Sequence, residues 1–228
     1  YSVFDKLLDK EAVAKFRANA LNPAHPKTRG TAQNDDVYFQ TRELQNHKYE
    51  GVSDVVEYYM DEIAKATGRQ YKPFSYYGAP DAENVIICMG SVTECAEEVV
   101  EYLTAKGEKV GVLKVHLYRP SVVPKFLEDM PHTVERIAVL DRTIEQGALY
   151  EPLCLDVQSV YYNAANAPLI VGGRYGLSSK DTQPKHMKAV YDFLDNNPWH
   201  NFTVGIEDDV THLSIPVDEE FSIHHNYT

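Results

Sequence analysis

Several short stretches bring side chains capable of chemistry close together in the chain. "LDRTIEQGA" (140–148) carries Asp141, Arg142, Thr143 and Glu145. Two carboxylates there could act as acid and base, but no nucleophile is paired with them, and a salt-bridged loop accounts for the pattern. "EDDVTH" offers Glu207, Asp208, Asp209 and His212, a mixed carboxylate and imidazole set. A metal needs converging ligands, and Asp209 and His212 would meet only on a helix. Pro216 nearby argues for a loop, so an acidic exit linker is expected. His224 and His225 sit in a polar tail.

Two glycine-containing turns invite a nucleotide reading. "VIICMG" runs into "GSVTE" (90–94), where a dinucleotide site would need G-x-G-x-x-G. One glycine and a bulky Val92 do not satisfy it, whereas Ser91 followed by Glu94 has the spacing of a capping box. "GGRYGLSSKD" (172–181) lacks the order of a P-loop, because Lys180 follows two serines and precedes Asp181. Gly172 and Gly173 read as a strand exit and tight turn. Arg174, Tyr175 and Lys180 would then be displayed at a strand's carboxyl end, where a ligand or a neighbouring domain touches this class of sheet. Cys88, Cys95 and Cys154 form no CxxC pair and their total is odd. That excludes a self-contained iron–sulfur or cysteine-based zinc site and suits a reducing cytosol, with Cys88 as a core residue.

The elements that must position these residues follow from the apolar pattern. "VIICMG" (85–90), "VGVLKV" (110–115), "RIAVL" (136–140), "LIVGG" (169–173) and "FTVGI" (202–206) are short, unalternating and rich in Val and Ile. Strands covered on both faces have this composition. Amphipathic helices are predicted between them at 94–106, 122–130, 148–164 and 185–195. Strand–helix alternation of this kind implies an α/β fold, a three-layer α/β/α sandwich around a mostly parallel sheet.

Before residue 71 the pattern differs. A helix over 9–20 is predicted, with Asp9 as N-cap and Val13, Phe16 and Ala20 on one face. A connector rich in Pro, Gly, Asn and Asp follows at 21–36. Another helix is predicted at 54–66, capped by Ser53, buried along Val55, Val56, Tyr59, Met60 and Ile63, and ended by Gly68. The expected organisation is an irregular connector with a short helix (1–52), a linking helix (53–70), the α/β domain (71–208) and an exit linker (209–228).

Composition narrows the partners. The 228 residues are 43% hydrophobic and 25% charged, and 22 Lys and Arg against 34 Asp and Glu give a formal charge of −12. Such a surface repels phosphate backbones, so no nucleic-acid partner is expected. No apolar run approaches the ~20 residues of a membrane span, and no leader is evident, so no membrane partner and a cytoplasmic location are expected. The opening Tyr1 is compatible with a piece of a longer chain.

Six segments in order, "RGTAQN", "YYGAPDAENVIICMGS", "KGEKVGVLKVHLYRP", "ERIAVLDRT…GALYEPL", "GGRYGLSSKD" and "FTVGIEDDVTHLSIP", span nearly the whole chain. Together they resemble the second domain of pyruvate:ferredoxin (flavodoxin) oxidoreductase, with the connector from its first domain. The resemblance implies a transketolase C-terminal-like fold, a mostly parallel five-stranded sheet with one antiparallel edge strand near 74–77, inside a multidomain enzyme. That enzyme converts pyruvate and coenzyme A to acetyl-CoA and carbon dioxide and passes electrons to ferredoxin or flavodoxin. It is expected to be a homodimer that holds thiamine diphosphate with Mg and [4Fe-4S] clusters on other domains. No thiamine-type GDG motif and no cluster-forming cysteines occur here, so no cofactor, metal or catalytic residue is assigned to this chain. His116, where Arg is usual, and Ile144 and Gln146, where Lys and Pro are usual, depart from the family pattern and put those contacts in doubt.

The resemblance therefore implies a non-catalytic structural or interface domain. Two alternatives stand beside it: the C-terminal domain of another thiamine enzyme, of transketolase or 2-oxoacid dehydrogenase β-subunit type, and a free-standing module that binds a small ligand. In each case "VIICMG" is expected at the centre of the sheet, between "VGVLKV" and "RIAVL", with "LIVGG" beyond. Reversal of strand order opens a crevice between "VIICMG" and "RIAVL". Ser91, Thr93, Asp141, Arg142 and Thr143 are expected to line it, with Arg174 and Lys180 on the adjacent loop.

Overall fold

The computed structural model describes residues 1–30 and 32–223; His224 and His225 lie outside the described residues. It divides into two compact units, Tyr1–Lys72 and the chain from Pro73 on. The second unit is a six-stranded sheet: β1 (Phe74–Gly78), β2 (Asn84–Met89), β3 (Val110–Val115), β4 (Arg136–Asp141), β5 (Leu169–Arg174) and β6 (Phe202–Thr203). The order is β1-β3-β2-β4-β5-β6, with β1 antiparallel at one edge and the other five strands parallel. The "VIICMG" strand lies inside the sheet, between β3 and β4, as expected.

Alternate residues of the inner strands feed two separate cores, which explains the unalternating apolar runs. Ile86, Cys88, Val112 and Leu140 pack on one face with α5 (Val92–Thr104) and α8 (Pro184–Asp195). Val85, Ile87, Leu113 and Val139 pack on the other with α6 (Val123–Asp129) and α7 (Pro152–Tyr161). The molecule from Pro73 on is thus a three-layer α/β/α sandwich.

Four local predictions need correction. Ser91 does not cap α5: its backbone is already helical (φ −63°, ψ −23°) and its side chain makes no cap bond. The "FTVGI" strand stops after Thr203, because Gly205 takes a positive φ of 86° and turns the chain away. The helix expected over 148–164 begins only at Pro152, whose preset φ and missing N–H suit the first helical turn. The stretch expected as an exit linker packs back: Ser214 bridges to Thr203 and Ile215 is buried in the α5/α8-side core.

The first unit holds α1 (Ser2–Leu7), α2 (Lys10–Ala18), α3 (Asp35–Glu50) and α4 (Val52–Thr67). Asp9 caps α2, its carboxylate accepting from the amides of Glu11 and Ala12 at 3.0 Å each. Gly68 ends α4 in the left-handed conformation (φ 75°). Ser53 falls within the first turn of α4 and caps nothing, since the helix starts at Val52. The helix α3 occupies what reads as connector; Val37, Tyr38, Phe39 and Leu44 are all exposed, so no clean apolar stripe announces it. Phe16 and Val55, expected on buried faces, are exposed as well. No helix among the described residues is long and apolar enough to cross a membrane.

Candidate functional site

The chain leaves β2 toward β3 on one side, then crosses back to β4 on the other. The connections diverge at the carboxyl ends of β2 and β4, and a cleft of about 350 Å³ opens there. Ser91, Asp141, Arg142 and Thr143 line it. Tyr118 and Tyr175 complete its walls together with Met89, Leu140 and Pro152. Tyr118 was not anticipated; it follows β3, and nothing local marks it as reaching the neighbouring crossover.

Several polar groups at this edge are engaged within the fold. Asp141 is 5% exposed and its two carboxylate oxygens accept from the amides of Leu153 (3.0 Å) and Cys154 (3.1 Å). It caps α7 from the end of a neighbouring strand, satisfying amides that the helix start leaves unpaired. Burial pushes the Asp141 carboxyl above its ordinary value, and the two amide bonds pull it back down. Arg142 donates its Nε–H to the Gly176 carbonyl at 2.8 Å. Burial raises the Tyr175 hydroxyl to about 12, and it points to the Met89 carbonyl at 3.5 Å.

Thr93, expected along the cleft, does not line it; of the two residues expected on the adjacent loop, Arg174 ends β5 and Lys180 lies in the loop after it. Thr93 is buried in the first turn of α5, its hydroxyl donating to the Gly90 carbonyl at 2.8 Å. Arg174 lies beside Asp141 in the sheet register, on the face toward α7. It pairs with Glu151, Nε to Oε1 at 2.6 Å, and Glu151 Oε2 accepts from the Glu145 amide at 2.8 Å. This buried pair holds the 141–151 loop against β5. Glu151 was missed; its only local sign is a carboxylate immediately before Pro152, and its partner lies on a distant strand.

Lys180 pairs with Glu207 at 3.3 Å, both exposed, a contact of small worth. The two border a separate basin of about 660 Å³ that also involves His186 and Asp209. Asp209 does not meet His212 on a helix; it accepts from the Ser214 amide (2.9 Å) and the Thr211 hydroxyl (3.2 Å), closing a turn. Among the described residues, no group of three His, Cys, Asp or Glu could hold a metal ion. A further hollow of about 670 Å³ lies between β1 and the end of α5, where Lys109 is tied to Asp81 and Glu83.

His186 carries a pH dependence. Its Nδ1 accepts from the Gln183 amide at 2.9 Å, closing a reciprocal cap on α8, so a proton on Nδ1 would abolish that bond. Burial, then Lys185, lowers its pKa below the ordinary 6.5, while Glu219 and Asp181 act in the opposite sense. A depressed folded-state pKa means the unfolded chain binds the proton first. The His186 contribution is therefore complete above pH 6.5 and declines as pH falls from 6.5 toward the lowered value. Urea midpoints measured from about pH 7.5 down to about pH 5 should fall less steeply in His186→Gln than in the parent chain. Equal slopes would remove His186 from the acid response.

Residues 82–187 match the family model for pyruvate:ferredoxin oxidoreductase core domain II. The chain is 54% identical over 220 residues to a pyruvate-flavodoxin oxidoreductase of Enterobacter agglomerans, covering 96% of this chain and 19% of that protein. It is 52% identical over 220 residues to a pyruvate:ferredoxin oxidoreductase of Moorella thermoacetica, again with 96% and 19% covered. The solved structure of 2-oxoglutarate:ferredoxin oxidoreductase from Magnetococcus marinus aligns with 75% of this chain and 25% of its own, at 17% identity and a TM-score of 0.47. The chain thus spans about a fifth of the length of the curated relatives it matches.

Proposed function

Since the chain belongs to the pyruvate:ferredoxin oxidoreductase family through core domain II, we propose that it serves as a non-catalytic structural and interface domain of a longer enzyme. That enzyme would oxidise pyruvate with coenzyme A to acetyl-CoA and carbon dioxide, reducing ferredoxin or flavodoxin, as a cytoplasmic homodimer. The names and lengths of the relatives support this reading. The observation that carries the non-catalytic part is the employment of Asp141, Glu151 and Arg174. The buried acids and base at the carboxyl edge are bonded to helix amides or to one another, and so hold loops in place.

The residues present do not fit the cofactors of such an enzyme. A [4Fe-4S] cluster takes four thiolates. Cys88 and Cys154 are fully buried, each with its thiol pushed up to about 12 chiefly by burial, and they pack in different cores. A diphosphate with Mg requires oxygen ligands, and at the carboxyl edge Asp141 is bonded to the amides of α7 while Glu151 is paired with Arg174. Thiamine diphosphate and the clusters are therefore assigned to other parts of the longer chain.

Calorimetry on the 228-residue chain with thiamine diphosphate and Mg should show no saturable heat, and the chain alone should not oxidise pyruvate. Micromolar binding by this chain would overturn the assignment.

A further inference from the structure

The carboxyl-edge cleft contains a cation without an acid partner. The unit from Pro73 on has four arginines. Arg119 pairs with Asp156 at 2.8 Å, Arg136 with Asp195 at 3.4 Å, and Arg174 with Glu151 at 2.6 Å. Arg142 has no carboxylate within ion-pair distance among the described residues; its one bond is from Nε–H to the Gly176 carbonyl. Asp141 precedes it in the chain yet is committed to the amides of α7. Among the arginines of this unit, Arg142 at the cleft is thus the one without an acid partner among the described residues.

The surroundings define what would answer it. Hydroxyls come from Ser91 and Thr143, and apolar walls from Met89, Leu140 and Pro152. At about 350 Å³ the cleft is near the lower end of the size range for small-ligand sites. The Asp141 carboxylate beside it disfavours a multiply charged guest such as a phosphate. We propose that this cleft binds a carboxylate carrying a short apolar stem, with Arg142 on the carboxylate and Leu140, Met89 and Pro152 around the stem. The guanidinium fork suits a carboxylate, and fixing Nε orients its plane before a ligand arrives. The site stands whether or not the chain works within a longer enzyme.

The test is a nitrogen-15 NMR titration of the 228-residue chain with acetate, propionate and butyrate at constant ionic strength. Butanol and butylammonium serve as neutral and cationic controls. Saturable shifts are expected at Ser91, Thr143 and the Arg142 side chain, with affinity rising about fourfold per methylene. Arg142→Gln should lose about tenfold or more, and Arg142→Lys less, because a point charge replaces the fork. Should Arg142→Gln fail to fold, Ser91→Asp at the exposed cleft mouth supplies the check, repelling the anion and weakening butyrate about fivefold. No saturable shift, an equal response to butylammonium, or unchanged binding in these variants would overturn the proposal. The same titration on the full-length polypeptide separates two sources of this chemistry. Retained binding identifies a free small acid. Binding by the 228-residue chain alone identifies a carboxylate side chain from the rest of the polypeptide, already seated on Arg142.

Discussion

Glu151→Ala is expected to destabilise the fold by about 3–5 kcal/mol, the cost of leaving one member of a buried ion pair unpartnered. Glu151 is 2% exposed and both of its oxygens are engaged, one by Arg174 and the other by the Glu145 amide. Truncation strands the Arg174 guanidinium, whose other contact is a 3.4 Å bond to the Asn201 side chain. It also leaves the Glu145 amide without its acceptor. Arg174→Ala should cost a similar amount, because it strands the carboxylate instead. Replacing both residues with Met removes two desolvation penalties at once and should recover most of the loss. Urea unfolding of the three variants gives the coupling directly. Single variants within about 1 kcal/mol of the parent would mean that water screens the pair, as at an exposed site.

The second large effect lies in β5. Gly172 and Gly173 are both inside the strand, not at its exit, and each makes room on a different face. A Cβ on Gly172 would approach Cys154 Sγ of α7 to 2.9 Å, and a Cβ on Gly173 would fall within the Phe202 ring. Phe202 is fully buried and packs against Phe193 with ring centroids 4.6 Å apart. Phe202→Ala should cost about 3–5 kcal/mol through the cavity it leaves, and Gly173→Ala about 1–3 kcal/mol through overpacking. The informative variant is the pair: with the ring gone, the added methyl occupies vacated space. Gly173→Ala/Phe202→Ala should therefore be no less stable than Phe202→Ala alone. Additive losses would show that Gly173 is needed for its backbone and not for the ring.

These two cases mark where local reading stops. The five parallel strands were legible because a strand covered on both faces must be apolar at every position, and that signal needs no partner to be seen. Strand order followed from crossover rules, and the placement of a cleft between β2 and β4 followed from strand order. Helix ends at Asp9 and Gly68 were legible because a cap is made within the turn it closes. Ser91 has the same letter pattern, but its backbone had already turned helical, and a pattern of residue types does not report dihedrals.

Gly172 and Gly173 look like a turn in sequence because glycine's freedom is the local reason for its use; here the reason is the bulk of Cys154 and Phe202, contributed by other elements. Asp141 and Arg174 are neighbours in the sheet and would seem natural partners. The docking of α7 decides otherwise, because its first amides claim the aspartate and Glu151 at its N-terminus claims the arginine. The residue types, the strands that carry them and the edge they share were thus determined by the sequence alone. Which charges are spent on structure, and that Arg142 is left over, was decided by tertiary packing, since a buried charge is satisfied by whichever group folding brings within reach.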